Sequence, residues 1–163
     1  MTTASTDVPL FLYGSMLDAD VLKIDLGRQG PADAMQGAEL RGYRRLRVPD
    51  ESYPVLVGHP EGSVWGALLK GLREQDWARI HFFESNEYAL KSCDVYVGGA
   101  RQRANFFAEG EMVTGATEPW TLEWWQTHHK DKYLHMIDQY MQIFGQADLE
   151  EAEALWARLH PST

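Results

Sequence analysis

Hydrophobic positions along the chain alternate between two periods. Residues 10–13 form a short unbroken apolar run, which predicts a buried strand. The run stops at Gly14 and Ser15. Beyond it, apolar side chains at 17, 21, 22 and 26 follow helical spacing. Asp18 and Asp20 fall in the first turn, where negative charge meets the positive end of the helix dipole. Residues 27–37 carry Gly and Pro and read as a loop. Residues 38–48 alternate apolar and charged side chains, the pattern of a strand with one wet face. Residues 49–52 read as a turn and 53–57 as a short strand that Pro54 confines to an edge or an irregular start. Residues 58–62 read as a second turn. Residues 63–72 read as a strand containing Gly66, and a glycine inside a strand marks a bulge or a close backbone approach. Residues 73–83 predict a short helix with Trp77 and Ile80 toward the core. Residues 88–98 and 101–108 predict a hairpin across Gly98, Gly99 and Ala100.

The pattern changes after about residue 110. Residues 118–145 carry a stripe at 122, 125, 129, 133, 136, 137, 140, 141 and 144, which predicts one long helix. Pro119 suits its first position and Gly145 its end. Residues 146–159 predict a second helix, with Leu149, Ala152, Leu155, Trp156 and Leu159 on one face. Helices of this kind need a partner surface, either the strand-rich body or another subunit. No repeat or linker divides the chain, so residues 1–163 are expected to fold as a single domain.

Composition narrows the function classes. The chain has 163 residues, 44% hydrophobic and 24% charged, the profile of a globular protein. Fifteen Lys and Arg against 24 Asp and Glu give a net charge of −9. Such a chain has no general attraction for phosphate backbones, so no nucleic-acid partner is expected. The local basic cluster at Arg41, Arg44, Arg45 and Arg47 reads as a solvated strand face. Cys93 is the only cysteine; it forms neither an internal disulfide nor a thiolate metal site by itself. Residues 1–8 lack the features of a secretory leader, and no apolar run approaches the roughly 20 residues of a membrane helix. A cytoplasmic protein with no membrane partner is the expectation.

Candidate chemistry is sparse. Ser15 lacks a G-x-S-x-G surround. His128, His129 and His135 lie on one helix without H-E-x-x-H spacing, so no metal is expected. The aromatic stripe of Trp120, Trp124, Trp125, Tyr133 and Tyr140 reads as core. Two stretches remain. At Gly14–Ser15 a strand meets a helix, and backbone N–H groups at such a junction are free to meet an anion. Gly14 permits a tight turn and a close approach of ligand to backbone. In "HFFESNEY", residues 81–88, Glu84 follows two phenylalanines. Partial desolvation there would raise its pKa and make it a better base near neutral pH. Glu87 competes for that role.

Taken in order, "LFLYGSML", "GRQGPADAMQGAELRGYRRL", "YPVLV", "VWGALLKGL" and "FFESNEY" resemble the gamma-glutamylcyclotransferase-like proteins over about residues 9–108. The resemblance implies an α+β fold: a small mixed β-barrel with surrounding helices, here followed by a C-terminal helical extension at 118–159 packed on the barrel. It also implies an activity, the cyclisation of a γ-glutamyl group to 5-oxoproline with release of an amine, and no cofactor. By that resemblance Glu84 is the general base, and Tyr13, Gly14, Ser15 and Met16 bind the glutamyl group. Tyr88 matches a tyrosine that lines the family's pocket. Many members read L-D-x-F-E-G where this chain has Ile80-His81-Phe82-Phe83-Glu84-Ser85. The base is kept, while His81, Ser85 and Leu90 depart from the pattern. The expected partner is a small γ-glutamyl substrate, and a homodimer is left open. The other reading is a non-catalytic module that binds a small carboxylate or a protein on the same fold.

Overall fold

The computed structural model describes residues 8–28, 35–84, 88–109, 116–146 and 148–159. Its strands are β1 (Leu10–Leu12), β2 (Met35–Arg47), β3 (Pro54–Leu69), β4 (Tyr88–Val97) and β5 (Ala100–Glu109). Its helices are α1 (Ala19–Leu26), α2 (Glu74–Glu84), α3 (Leu122–His128), α4 (Lys130–Gln142) and α5 (Leu149–Leu159), with a 3-10 turn at Ser15–Leu17. The strands close into a barrel in the order β1-β3-β2-β4-β5. β1 runs antiparallel to β3 and parallel to β5, so the barrel is mixed. This is the α+β architecture that the sequence resemblance implies.

Alternation along the strands builds two layers of core. Phe11, Leu40, Val64, Leu68, Val95 and Phe106 fill the barrel interior. Leu10, Leu12 and Leu69 point outward and pack with Val21, Leu22, Trp77, Ile80, Trp125 and Ile137 from the helices and with Trp120 just before α3. The C-terminal helices are therefore packed on the barrel.

Several boundaries differ from the sequence reading. β2 starts at Met35, inside the stretch read as loop, while residues 29–34 lie outside the described residues. Residues 58–62 do not end a strand; β3 runs through them. Their turn-like composition reflects an irregularity. Arg41 pairs with Ser63 and Tyr43 with Gly58, so Gly42 alone faces residues 59–62 of β3. Glycine is needed on both sides there. Gly42 has φ +88°, and a Cβ on Gly62 would lie 2.5 Å from the Tyr43 carbonyl oxygen. Gly66 is the close approach expected of it: a Cβ there would lie 2.1 Å from the carbonyl oxygen of Leu12 on β1. The hairpin turn falls at Gly98 and Gly99, both at positive φ.

The long helix predicted over 118–145 is two helices. His129, with φ −129°, separates α3 from α4. Pro119 does not open the helix. It bridges Leu46 of β2, and Thr121 caps α3 by accepting from the Trp124 amide at 3.1 Å.

Candidate active site

At the strand–helix junction the protein's own carbonyls take up only part of the backbone donors. β1 ends at Leu12, and the turn is closed by Leu17 N–H donating to Gly14 O at 3.0 Å and Asp18 N–H to Ser15 O at 2.9 Å. Asp18 then caps α1, accepting from the amides of Asp20 and Val21. The N–H groups of Gly14, Ser15 and Met16 meet no acceptor among the described residues. The expected tight turn does not account for Gly14. Its φ is −123°, which any residue adopts. A Cβ there would stand 3.4 Å from the Pro54 side chain, and both residues line one cavity. That distance is ordinary van der Waals contact, so neither backbone strain nor a steric clash demands glycine here.

The cavity has a volume of about 80 Å³. Tyr13, Gly14, Ser15 and Met16 form one side, and Phe83 and Glu84 at the end of α2 form another. Phe11, Leu12, Tyr53, Pro54, Phe107 and Tyr133 complete it. The two segments singled out in the sequence, about seventy residues apart, therefore meet around one small space. Tyr13 is fixed by its hydroxyl donating to the Phe107 carbonyl. Only one of the two phenylalanines before Glu84 takes part. Phe82 stacks on Tyr140, with ring centroids 4.8 Å apart, on the side facing the C-terminal helices.

Burial raises the Glu84 carboxyl to a pKa of about 8. The residue as a whole is half-buried. A carboxyl on the wall of a narrow cavity touches solvent through that opening and protein elsewhere, so desolvation dominates. Among the described residues no cation offsets this. Behind it lies Asp25, 0% exposed, whose carboxyl oxygens have no hydrogen-bond partner among the described residues. Burial and the neighbouring Glu84 push Asp25 well above the usual carboxylate range, although Arg79 opposes this. The Tyr133 hydroxyl is also pushed upward by burial and by Asp25, so it stays protonated. Ser15 Oγ donates to Tyr133 Oη at 3.4 Å.

Tyr88 is the first residue of β4, and its side chain lies outside the description. Glu87 and Ser85 lie outside the described residues. Burial and Asp94 push the Cys93 thiol up to about 12, which leaves no thiolate for nucleophilic work. Among the described residues, no group of three His, Cys, Asp or Glu side chains is placed to hold a metal ion. No described helix is long and apolar enough to cross a membrane.

Sequence reasoning missed Tyr53, Pro54, Phe107 and Tyr133. Tyr133 stood in the aromatic stripe read as core, and its ring does pack edge-on against Trp125 at 5.3 Å. Its hydroxyl in addition stands within hydrogen-bond distance of Ser15 Oγ, another residue of the cavity wall. A helical stripe does not reveal that second contact. Tyr133 also borders a second, larger cavity of about 600 Å³, whose wall includes Ser52, Trp124, His129 and Lys132.

Comparison with known proteins agrees with this architecture. Residues 10–127 match the family model "Gamma-glutamyl cyclotransferase, AIG2-like". The chain is 28% identical over 140 residues to AIG2-like protein A of Arabidopsis thaliana, covering 82% of this chain and 81% of that protein. It is 27% identical over 164 residues to AIG2-like protein B of the same plant, covering 98% and 77%. A solution structure from Arabidopsis thaliana superposes with a TM-score of 0.60 at 20% identity, covering 93% of this chain and 94% of that one. A structure described as a gamma-glutamyl cyclotransferase superposes with a TM-score of 0.53 at 16% identity, covering 92% and 86%. At these identities the structural likenesses concern the fold. The family match spans both cavity-forming segments, and the chain belongs to the gamma-glutamyl cyclotransferase, AIG2-like family.

Proposed function

We propose that the protein cyclises a γ-glutamyl group to 5-oxoproline and releases an amine, with Glu84 as general base. One observation carries the reading. A desolvated carboxyl and a run of unoccupied backbone donors line the same cavity. The substrate's α-carboxylate is taken by the amides of Gly14, Ser15 and Met16. Its α-amine then faces Glu84. Such an amine has a pKa of about 8 in model compounds. Glu84 at about 8 is matched to it, so a proton passes between them at little cost.

The amine nitrogen attacks the γ-carbonyl carbon of its own chain, and Glu84 accepts the proton that the nitrogen loses. The tetrahedral intermediate collapses by breaking the γ-carbon–nitrogen bond to the leaving amine. Glu84 returns its proton to that nitrogen. No water is consumed and no covalent enzyme intermediate forms. A cavity of about 80 Å³ favours a glutamyl chain folded back on itself, which is the geometry of ring closure. The Tyr133 hydroxyl, held protonated, is a donor for the oxygen that becomes negative at the γ-carbon. The larger cavity beyond Tyr133 is where the amine leaves.

The test is a panel of γ-glutamyl amino acids and amines assayed for 5-oxoproline. Release is expected for at least one of them, and Glu84→Gln should reduce kcat by about 100-fold or more. Turnover that survives this substitution removes Glu84 from the role. Binding of γ-glutamyl compounds without any 5-oxoproline would leave the non-catalytic module.

A further inference from the structure

Arg45 is the feature that neither the sequence reading nor the proposed reaction absorbs. The cluster it belongs to reads as a solvated strand face, and this holds poorly for Arg45. Its guanidinium turns in against the segment that opens the cavity. Nη1 donates to the Tyr13 carbonyl at 3.0 Å and to the Trp65 carbonyl at 3.2 Å, and Nε donates to the Trp120 carbonyl at 3.1 Å. Trp120 also lies under the guanidinium, 5.2 Å from ring centre to Cζ. Among the described residues no carboxylate comes within ion-pair distance of it. A cation held only by carbonyl oxygens keeps its charge unneutralised.

We propose that Arg45 is a positioning residue for the anion-binding turn: it sets the Tyr13–Gly14 peptide and lends its charge to the carboxylate bound there. The geometry follows from the planar peptide. No described peptide is cis, so the Tyr13 C=O and the Gly14 N–H point in opposite directions. The carbonyl is held toward Arg45, which does not line the cavity. The Gly14 N–H is thereby aimed to the other side, where the cavity lies. The positive charge then sits one peptide behind a site for negative charge, in surroundings dry enough that burial presses on the guanidinium itself. An arginine stays protonated under that pressure. Lysine cannot reproduce the role, because three carbonyls in three segments require a planar fork.

This inference deepens the proposed γ-glutamyl reading and rests on it for the ligand. Its test uses 5-oxoproline, whose carboxylate is the group concerned, with binding read by calorimetry and by the amide signals of Gly14, Ser15 and Met16. The intact chain and the variants Arg45→Met and Arg45→Lys are compared. Arg45→Met should weaken 5-oxoproline binding by about tenfold or more, the range for losing a charged hydrogen-bonding group. The KM for γ-glutamylalanine should rise in step, with kcat within about threefold, since this interaction acts on binding rather than on the chemical step. Arg45→Lys should fall between the two. A folded Arg45→Met with unchanged affinity and KM, or one that loses only kcat, overturns the proposal. If Arg45→Met does not fold, Arg45→Lys decides, and an affinity equal to that of the intact chain overturns it. A wild-type protein that binds 5-oxoproline and turns over no γ-glutamyl compound defeats the cyclotransferase reading alone, because the affinities still judge Arg45. A wild-type protein that shows no 5-oxoproline binding defeats the Arg45 proposal.

Discussion

A glutamate carboxyl at a pKa of about 8 destabilises the fold when it ionises. The unfolded chain releases this proton near pH 4.5, while the folded chain holds it until about pH 8. Between these values the folded state binds more protons than the unfolded one, so stability falls as pH rises and levels off above the folded pKa. Asp25 contributes with the same sign. Asp18 and Asp76, paired with Lys130 and Arg28, are shifted down and act in the opposite sense, losing stabilisation as pH falls below the usual carboxylate range. The Glu84 contribution is isolated by difference. Tm measured from pH 5 to 9 should decline less steeply in Glu84→Gln than in the parent, with the two curves furthest apart at the alkaline end. Activity should move the other way, kcat/KM rising with pH through a limb near 8 as the base ionises. Parallel Tm curves would mean that Glu84 ionises at the same pH in the folded and unfolded chain. The desolvation of Glu84 was legible in kind, because a carboxyl beside aromatic residues is a local signal, although only Phe83 of the two shares its cavity. Asp25 was not, because its isolation depends on α1 and α2 meeting, and no spacing within either segment announces that.

At the scale of elements, glycine positions separate packing demands from mere strand composition. Gly66 has no room for a side chain, since a Cβ would sit 2.1 Å from the Leu12 carbonyl oxygen. Gly37, on β2 and paired with Ala67, has nothing within 4 Å of the same position. Gly66→Ala should therefore destabilise by about 2 kcal/mol or more, the range for forced backbone movement in a packed region, while Gly37→Ala stays within about 0.5 kcal/mol. Denaturant unfolding of both variants checks this, and equal losses would show that β1 and β3 tolerate separation at that point. The approach at Gly66 was readable in kind, because a glycine amid apolar strand residues needs a reason. Its partner was not, since pairing register is set by distant strands. The same limit explains residues 58–62. Their Gly and Pro content resembles a turn, yet antiparallel pairing with β2 resumes on both sides and carries the strand through. The break at His129 escaped for the opposite reason. The helical stripe continues past it, and Trp125 of α3 and Ile137 of α4 share one apolar cluster, so the periodicity carries no mark of the interruption.

At the scale of the whole molecule, the C-terminal helices are part of the unit that holds the cavity. Residues 118–120 are stitched to β2 by Arg47 N–H donating to Glu118 O at 2.7 Å and Trp120 N–H to Arg45 O at 3.2 Å. The Trp120 indole donates to Ser52 O at 2.8 Å. Asp18, the cap of α1, accepts from Gln126 at 2.9 Å and pairs with Lys130 at 2.9 Å. The Tyr140 hydroxyl donates to Phe82 O at 2.9 Å, two residues before the proposed base. Trp120, Trp125 and Ile137 share one apolar cluster with Leu10, Leu12 and Leu69 of the barrel. α4 and α5 bury Tyr140, Met141 and Ala152 in a cluster of their own, but Ile24, Phe82 and Phe83 of α1 and α2 pack against it, and with the ties above the helices should unfold with the strands in one transition. The six tryptophans make this measurable, since Trp120, Trp124, Trp125 and Trp156 lie in the C-terminal part and weight indole fluorescence toward it. Fluorescence and the far-ultraviolet signal of the strands should give the same midpoint in urea. Trp125→Ala should shift both midpoints together, costing about 3–5 kcal/mol for a large buried ring. An intermediate in which fluorescence has changed while the strand signal persists would mean that the barrel stands without its extension, and that Tyr133 is presented to the cavity by a separately melting layer.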